Sequence, residues 1–373
     1  MNTLDLLGRL IAHRTLSRTP NMALLEEMRG LLEAAGARCT LVPYEEGRAN
    51  LLASLGPEGP GGVMLSGHVD VVPVEGQDWT VPPWEMTLGD GRLYGRGTCD
   101  MKGFVACAVA AMLRAGPLSR PLHLALSCDE EVGCLGVRPL VEVLARGPKP
   151  DLCIVGEPTG MAVATGHKGK VGLRTTFRGR EAHSALAPMG VNALHMAADV
   201  LGRLRAMQDE LEEGAADAAY DVPYTTVHAG VLRGGTALNI VPNRAVMDWE
   251  IRFLAGTDVE GLLARLERDA DAIATATDAP EALIRTERIM DYPGLDTPPD
   301  AEAARFVRSL TGSNETIKVA FGTEGGLFDA IGIQTVICGP GSMAQGHRPN
   351  EYVTEEQMTR CEAMLDRLLE RLR

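Results

Sequence analysis

No run in this 373-residue sequence approaches the about 18 apolar residues that a helical membrane span requires, so none is expected. Aromatic residues make up only 4%, too few for a base-stacking platform or a carbohydrate-gripping groove. Basic residues are also in short supply. Against 50 Asp and Glu stand 36 Lys and Arg, a formal charge of −14 that argues against nucleic-acid or anionic-membrane binding. The eight cysteines (Cys39, Cys99, Cys107, Cys128, Cys134, Cys153, Cys338 and Cys361) are scattered, with no CxxC pair, and read as reduced, mostly buried small hydrophobes. The first residues, Met1 to Leu7, show no basic segment, long apolar core or cleavage site of a secretory signal. A reducing cytoplasm is therefore the expected compartment.

What is present is an ordinary globular composition, 45% hydrophobic and 23% charged, long enough for two domains. Leu24, Leu25, Met28, Leu31 and Leu32 recur at helical spacing, with Gly36 as a C-cap. Short apolar runs at Val63–Leu65, Leu122–Leu126 and Leu152–Val155 alternate with helices over Gly103–Arg114 and Leu135–Ala145, the rhythm of βαβ units and a largely parallel sheet. The middle third changes register. Extended segments at Val171–Arg178, Thr225–Leu232 and Ala245–Phe253, with helices over Val191–Leu211 and Asp258–Thr275, follow the order of a ferredoxin-like α+β sandwich. Ile317–Val319 and Thr335–Ile337 resume the earlier rhythm, and an amphipathic helix over Glu355–Leu372 closes the chain. The expected architecture is a larger α/β domain, 1–169 and 286–373, with an α+β domain, 170–285, inserted into it.

The first three strand candidates run into chemistry-bearing residues: Ser66-Gly67-His68-Val69-Asp70, Ser127-Cys128-Asp129-Glu130-Glu131 and Gly156-Glu157-Pro158. In open α/β sheets ligands bind beyond the carboxyl ends of the strands, so these residues are expected along one rim. The loop Tyr94–Gly103 brings Asp100, and Gly346-His347-Arg348 brings a second imidazole. Clustered carboxylates need a compensating cation or protons. Imidazole with carboxylate, without cysteine, suits zinc or cobalt(II) rather than magnesium or calcium. Two histidines and three carboxylates suffice for two metals if one carboxylate bridges. Glu130 and Glu131, on opposite sides of an extended segment, divide into a ligand and a proton acceptor, the layout of metal-assisted hydrolysis. Taken singly, a strand-end histidine or an Asp-Glu-Glu triplet is more often structural or solvated; the ordered combination carries the reading.

With these motifs assembled, the chain resembles the M20 peptidase-like family of metallo-aminoacylases and deacylases over nearly its whole length. The resemblance rests on Gly67–Pro73, Gly95–Gly103, Asp129-Glu130-Glu131, Gly156–Thr159 and Gly346-His347-Arg348. It implies a zinc-exopeptidase-like catalytic domain holding two zinc ions, with cobalt as a substitute. His68 and Glu157 would bind one metal, Glu131 and His347 the other, and Asp100 would bridge them. Asp70 would orient His68, and Glu130 would be the general base that later protonates the leaving amine. A cis peptide is implied at Asp100–Met101. The inserted domain would be a lid that also forms a homodimer, with His183 of Gly179–Ala185 reaching the partner's active site. Asn239 and Arg252 would grip a substrate carboxylate, and Gly322, Thr323 and Lys168 would line the substrate pocket.

Within the family, Gly166–Gly172 and Gly322-Thr323-Glu324 look most similar to acetylornithine deacetylases. That resemblance implies hydrolysis of N2-acetyl-L-ornithine to ornithine and acetate, a step of arginine biosynthesis, with Glu324 facing the substrate's δ-ammonium. The alternative is another N-acyl-amino-acid deacylase, acting on acetylcitrulline, succinyl-diaminopimelate or acylated amino acids generally. Ala185-Leu186-Ala187-Pro188 after His183 departs from the family pattern and bears on fine specificity.

Overall fold

Leu6, Leu7, Leu10 and Ile11 lie on one buried stripe of α1 (Thr3–Ala12), whose first turn is capped by the Asn2 side chain accepting the Asp5 N–H. The computed structural model describes residues 1–373 as two units, Met1–His167 with Leu295–Arg373, and Lys168–Gly294. In the first unit α2 (Met22–Ala34) ends just before Gly36, which takes the left-handed φ of 90° that favours glycine. There follow β1 (Arg38–Glu45), β2 (Arg48–Leu55), β3 (Val63–His68), β4 (Thr87–Gly89), β5 (Arg92–Tyr94), α3 (Lys102–Arg114), β6 (Leu122–Ser127), α4 (Arg138–Arg146), β7 (Leu152–Pro158) and β8 (Val163–His167).

The second unit contains β9 (Gly169–Arg178), α5 (Ala193–Glu212), β10 (Thr226–Gly234), β11 (Arg244–Phe253), α6 (Val259–Thr275) and β12 (Leu283–Tyr292). Its sheet runs β10-β11-β9-β12, all antiparallel, the strand order of a ferredoxin-like sandwich. Alternate residues of β11 (Ala245, Met247, Trp249 and Ile251) are buried in one cluster with Val200 and Leu204 of α5 and Leu263 and Leu266 of α6. The unit ends at Gly294 rather than 285, because β12 pairs with β9 from Leu283 to Tyr292. It begins at Lys168 rather than 170.

The chain then returns to the first unit with β13 (Leu295–Asp296), α7 (Glu302–Thr311), β14 (Thr316–Val319), α8 (Gly325–Ala330), β15 (Gln334–Gly339), β16 (Tyr352–Thr354) and α9 (Glu355–Leu372). The main sheet has the order β1-β2-β6-β3-β7-β15-β8-β13, with β14 on β8. Its centre, β6-β3-β7-β15, is parallel, whereas β1, β2 and β13 pair antiparallel at the flanks. The sheet is therefore mixed around a parallel core. The small-residue helix α3 is buried from Lys102 to Met112 and packs against α1, α9 and the sheet. Its approach is close enough that a Cβ at Gly156 of β7 would lie 1.9 Å from the Phe104 ring. That glycine lets the helix sit on the strand one residue before Glu157.

Candidate metal centre

Because β6, β3 and β7 are adjacent and parallel, their carboxyl ends share one rim, and His68, Glu130, Glu131 and Glu157 meet there. Asp100 arrives from the β5–α3 loop with a cis peptide to Met101. Its two oxygens separate the two imidazoles: His68 Nε2 lies 3.1 Å from Oδ1 and His347 Nε2 lies 3.1 Å from Oδ2. His68 Nε2 is also 3.6 Å from Glu157 Oε1, and His347 Nε2 is 2.9 Å from Glu131 Oε2. Two donor groups, His68 with Glu130 and Glu157, and His68 with Asp100 and Glu131, have ligand atoms within 4.8 Å of one another.

Glu130 and Glu131 do not continue an extended segment, as the alternation argument required. Asp129 turns the chain at φ 52°, and the N–H groups of Gly133 and Cys134 both donate to the Glu130 carbonyl, so the pair sits in a tight turn after β6. Asp70 supports that turn. Its carboxylate accepts the N–H of Glu130 at 3.1 Å, the N–H of Glu131 at 3.3 Å and the Ser17 hydroxyl at 2.8 Å. The His68 ring is oriented chiefly by the Asp70 backbone carbonyl, 2.9 Å from Nδ1, with Oδ1 farther off at 3.6 Å.

Electrostatics test whether this donor set suits cations. Burial raises Glu130 and Glu157 well above the ordinary carboxylate range, and neighbouring carboxylates add to it despite the opposing charge of His68. Burial and Asp100 push Glu131 up to about 7. Burial alone would raise Asp100 and lower His68. Hydrogen bonds from both imidazoles instead hold Asp100 far down, and Asp100 and Asp70 lift His68 well above its usual value. Hydrogen bonds to Asp100 and Glu131 lift His347 to about 10. The pocket thus draws protons onto both imidazoles and onto Glu130, Glu131 and Glu157. Divalent cations meet the same demand for positive charge, and two imidazoles with four carboxylates form a borderline-hard donor set fitted to zinc-like ions.

Thr323 is buried, its hydroxyl accepting the Gly325 N–H at 2.9 Å, and Gly322 is half-buried beside it. Glu324 lies deep in the first unit, behind the end of β3. It is 1% exposed, it accepts the Ser66 hydroxyl at 3.3 Å, and burial pushes it up to about 7. In the second unit Lys168 is buried, donating to the Tyr224 carbonyl and lying over the Tyr220 ring. Arg252 donates to Glu250 at 2.7 Å, and Glu250 also pairs with Lys170. Asn239 is exposed in the loop before Ile240, and His183 is exposed, its Nδ1 accepting the Ala185 N–H at 3.0 Å.

Three residues around the centre escaped the sequence reading. Cys134 points its thiol at Glu130 Oε1, 3.3 Å away, and Arg96 and Glu351 form a fully buried ion pair of 2.6 Å. Arg96 lies in the loop that was read for Asp100, and Glu351 lies four residues beyond His347. A salt bridge between positions 255 residues apart leaves no periodic signal.

The class follows from this rim. The chain matches the model of peptidase family M20/M25/M40 over residues 64–371 and belongs to that family; it is an M20 family hydrolase. Among curated relatives it is similar to an acetylornithine deacetylase of Myxococcus xanthus, 37% identical over 97% of this chain and 95% of the relative. Among solved structures it resembles the M20 family metallo-carboxypeptidase Sso-CP2 of Sulfolobus solfataricus, with TM-score 0.80, 18% identity and 99% of each chain covered. It also resembles the YXEP protein of Bacillus subtilis, described as a dinuclear metal-binding peptidase of family M20, with TM-score 0.69, 15% identity, and 99% and 97% coverage.

Proposed function

We propose that this hydrolase cleaves N2-acetyl-L-ornithine to L-ornithine and acetate, serving arginine biosynthesis in the cytoplasm. The observation that carries the metal assignment is Asp100, whose two oxygens each face one imidazole at 3.1 Å. His68 and Glu157 would hold one zinc ion, Glu131 and His347 a second, and Asp100 would be shared; cobalt would substitute. Such ions, when bound, supply Lewis acidity that polarises an amide carbonyl and acidifies water. Glu130 takes a proton from the attacking water and returns it to the departing amino nitrogen as the carbon–nitrogen bond breaks. Asp70 keeps Glu130 in place through its backbone N–H.

The second unit acts as lid and dimerisation module. His183 polarises the scissile carbonyl in the partner's site, and Asn239 and Arg252 contact the substrate carboxylate, with Gly322, Thr323 and Lys168 shaping the pocket from further back. The edge position of β10, with Val231 and Leu232 exposed on it, supports pairing with a second copy. The eight free thiols support a reducing compartment. The substrate rests on the relative from Myxococcus xanthus. The burial of Glu324 against Ser66 supports, as a second reading, a deacylase for other N-acyl amino acids, such as acetylcitrulline or succinyl-diaminopimelate.

The test is acetate release from N2-acetyl-L-ornithine by chelator-stripped protein with zinc or cobalt titrated back. Turnover saturating at two equivalents is the expected result. Metal uptake with equal rates on acetylornithine and acetylmethionine would select the broader deacylase, and turnover indifferent to metal would sink the mechanism.

A further inference from the structure

Arg96 and Glu351 are each 1% exposed, and neither belongs to the proposed ligand set. Each Glu351 oxygen has work to do. Oε2 accepts Arg96 Nη1 at 2.6 Å, while Oε1 accepts the backbone N–H of Cys99 at 2.9 Å and of Asp100 at 3.0 Å. Arg96 spreads the connection. Its Nη1 donates to the Arg348 carbonyl at 3.4 Å, and its Nη2 to the Pro73 carbonyl at 3.4 Å and to the Gln77 side-chain oxygen. The Trp79 ring lies against the guanidinium, 5.0 Å from centroid to carbon. Gln77 in turn donates to the His347 carbonyl at 2.8 Å. One buried pair therefore joins three loops, 73–79, 96–100 and 347–351, two of which carry Asp100 and His347.

We propose that Arg96 and Glu351 are positioning residues that fix Asp100 relative to His347, so that one carboxylate can be shared between two cations. The inference rests on the dinuclear reading above and extends it to side chains that touch no cation. The chemistry of Glu351 separates this role from filler. A buried ion pair is weak evidence of stabilisation, since apolar side chains of the same volume often serve as well. A carboxylate, by contrast, is the one side chain of this shape that accepts on both oxygens. In Glu351→Gln the amide NH2 would confront either Arg96 or the N–H groups of Cys99 and Asp100, a donor against a donor in both orientations. The shape is kept and the tether to Asp100 or to Arg96 is lost. Arg96→Lys keeps the charge but loses the planar fork that reaches Glu351, Gln77 and two carbonyls together.

The experiment is calorimetric zinc titration of chelator-stripped wild-type protein and Glu351→Gln, with the visible absorption of the cobalt(II)-loaded forms as a second readout. Wild type is expected to take up two equivalents. Glu351→Gln should keep its circular dichroism, lose affinity for at least one equivalent by about ten- to a hundredfold, and show an altered cobalt spectrum. Arg96→Lys should follow in the same direction. Should Glu351→Gln fail to fold, Gln77→Ala, which removes the link to the His347 carbonyl and one acceptor of Arg96 but leaves the Arg96–Glu351 pair, is expected to weaken binding of one equivalent and shift the cobalt spectrum. A variant with a lowered melting temperature but wild-type zinc affinities and cobalt spectrum would overturn the proposal, leaving the pair purely structural. Wild-type protein that takes up fewer than two zinc ions would overturn the dinuclear reading itself and the inference with it, whatever the variants do.

Discussion

The Asp70 carboxylate accepts the backbone N–H of Glu130 at 3.1 Å, linking the end of β3 to the turn that follows β6. It also accepts from Glu131 and Ser17, so both oxygens are engaged by donors. An asparagine there turns one of these acceptors into a donor. Asp70→Asn is expected to lower kcat by about 10- to 100-fold with little change in KM, because the base is misplaced while substrate contacts stay intact. Steady-state kinetics check this, and an unchanged kcat would refute the brace.

Glu130→Gln keeps the shape of the side chain and removes its capacity to accept a proton. Hydrolysis should fall by about 10²- to 10⁴-fold, while the zinc content of the purified variant stays at the wild-type value. Metal analysis beside rate measurements separates the two effects; retained turnover would exclude Glu130 as base.

Glu324 has its folded pKa raised to about 7 from 4.5, principally by burial. A carboxyl raised in this way favours the folded state fully below pH 4.5, and that contribution is lost as pH rises through about 7. The shift corresponds to roughly 3 kcal/mol at most. Urea midpoints at pH 5 and pH 8 should therefore differ less for Glu324→Gln than for wild type, and equal differences would contradict the burial effect.

Gly156→Ala would place a methyl group 1.9 Å from the Phe104 ring, itself fully buried. Overpacking of this kind costs about 1–3 kcal/mol. The same displacement moves Glu157, the next residue on β7, so the denaturation midpoint and zinc affinity are expected to fall together. Pairing Gly156→Ala with Phe104→Leu should recover part of both losses.

Much of the centre was legible in the sequence because its residues end locally periodic segments. Apolar runs at β3, β6 and β7 stop at His68, at Asp129–Glu131 and at Glu157, and parallel strands of one sheet must end on the same rim. The closing helix was equally readable, since Met358, Cys361, Met364, Leu365, Leu368 and Leu372 repeat at helical spacing through Glu355–Leu372. The hairpin β1–β2 and the three-stranded sheet β16-β5-β4 were not: β1 is eight residues long but buries only Val42, and β4, β5 and β16, of three residues each, are too short to display alternation.

The sequence by itself determined the order of the motifs, the kinds of donor atoms they bring and the alternation of strand and helix that delivers them. Tertiary structure alone decided how those atoms face one another. It buried Glu324 against Ser66, turned Glu130 back on Asp70 at 3.1 Å, and joined Arg96 to Glu351 across 255 residues. The reason is physical. Helix and strand patterns reflect interactions between residues a few places apart, which a sequence displays. The partner of a buried charge is fixed by packing and desolvation, and these arise only once distant segments share one interior.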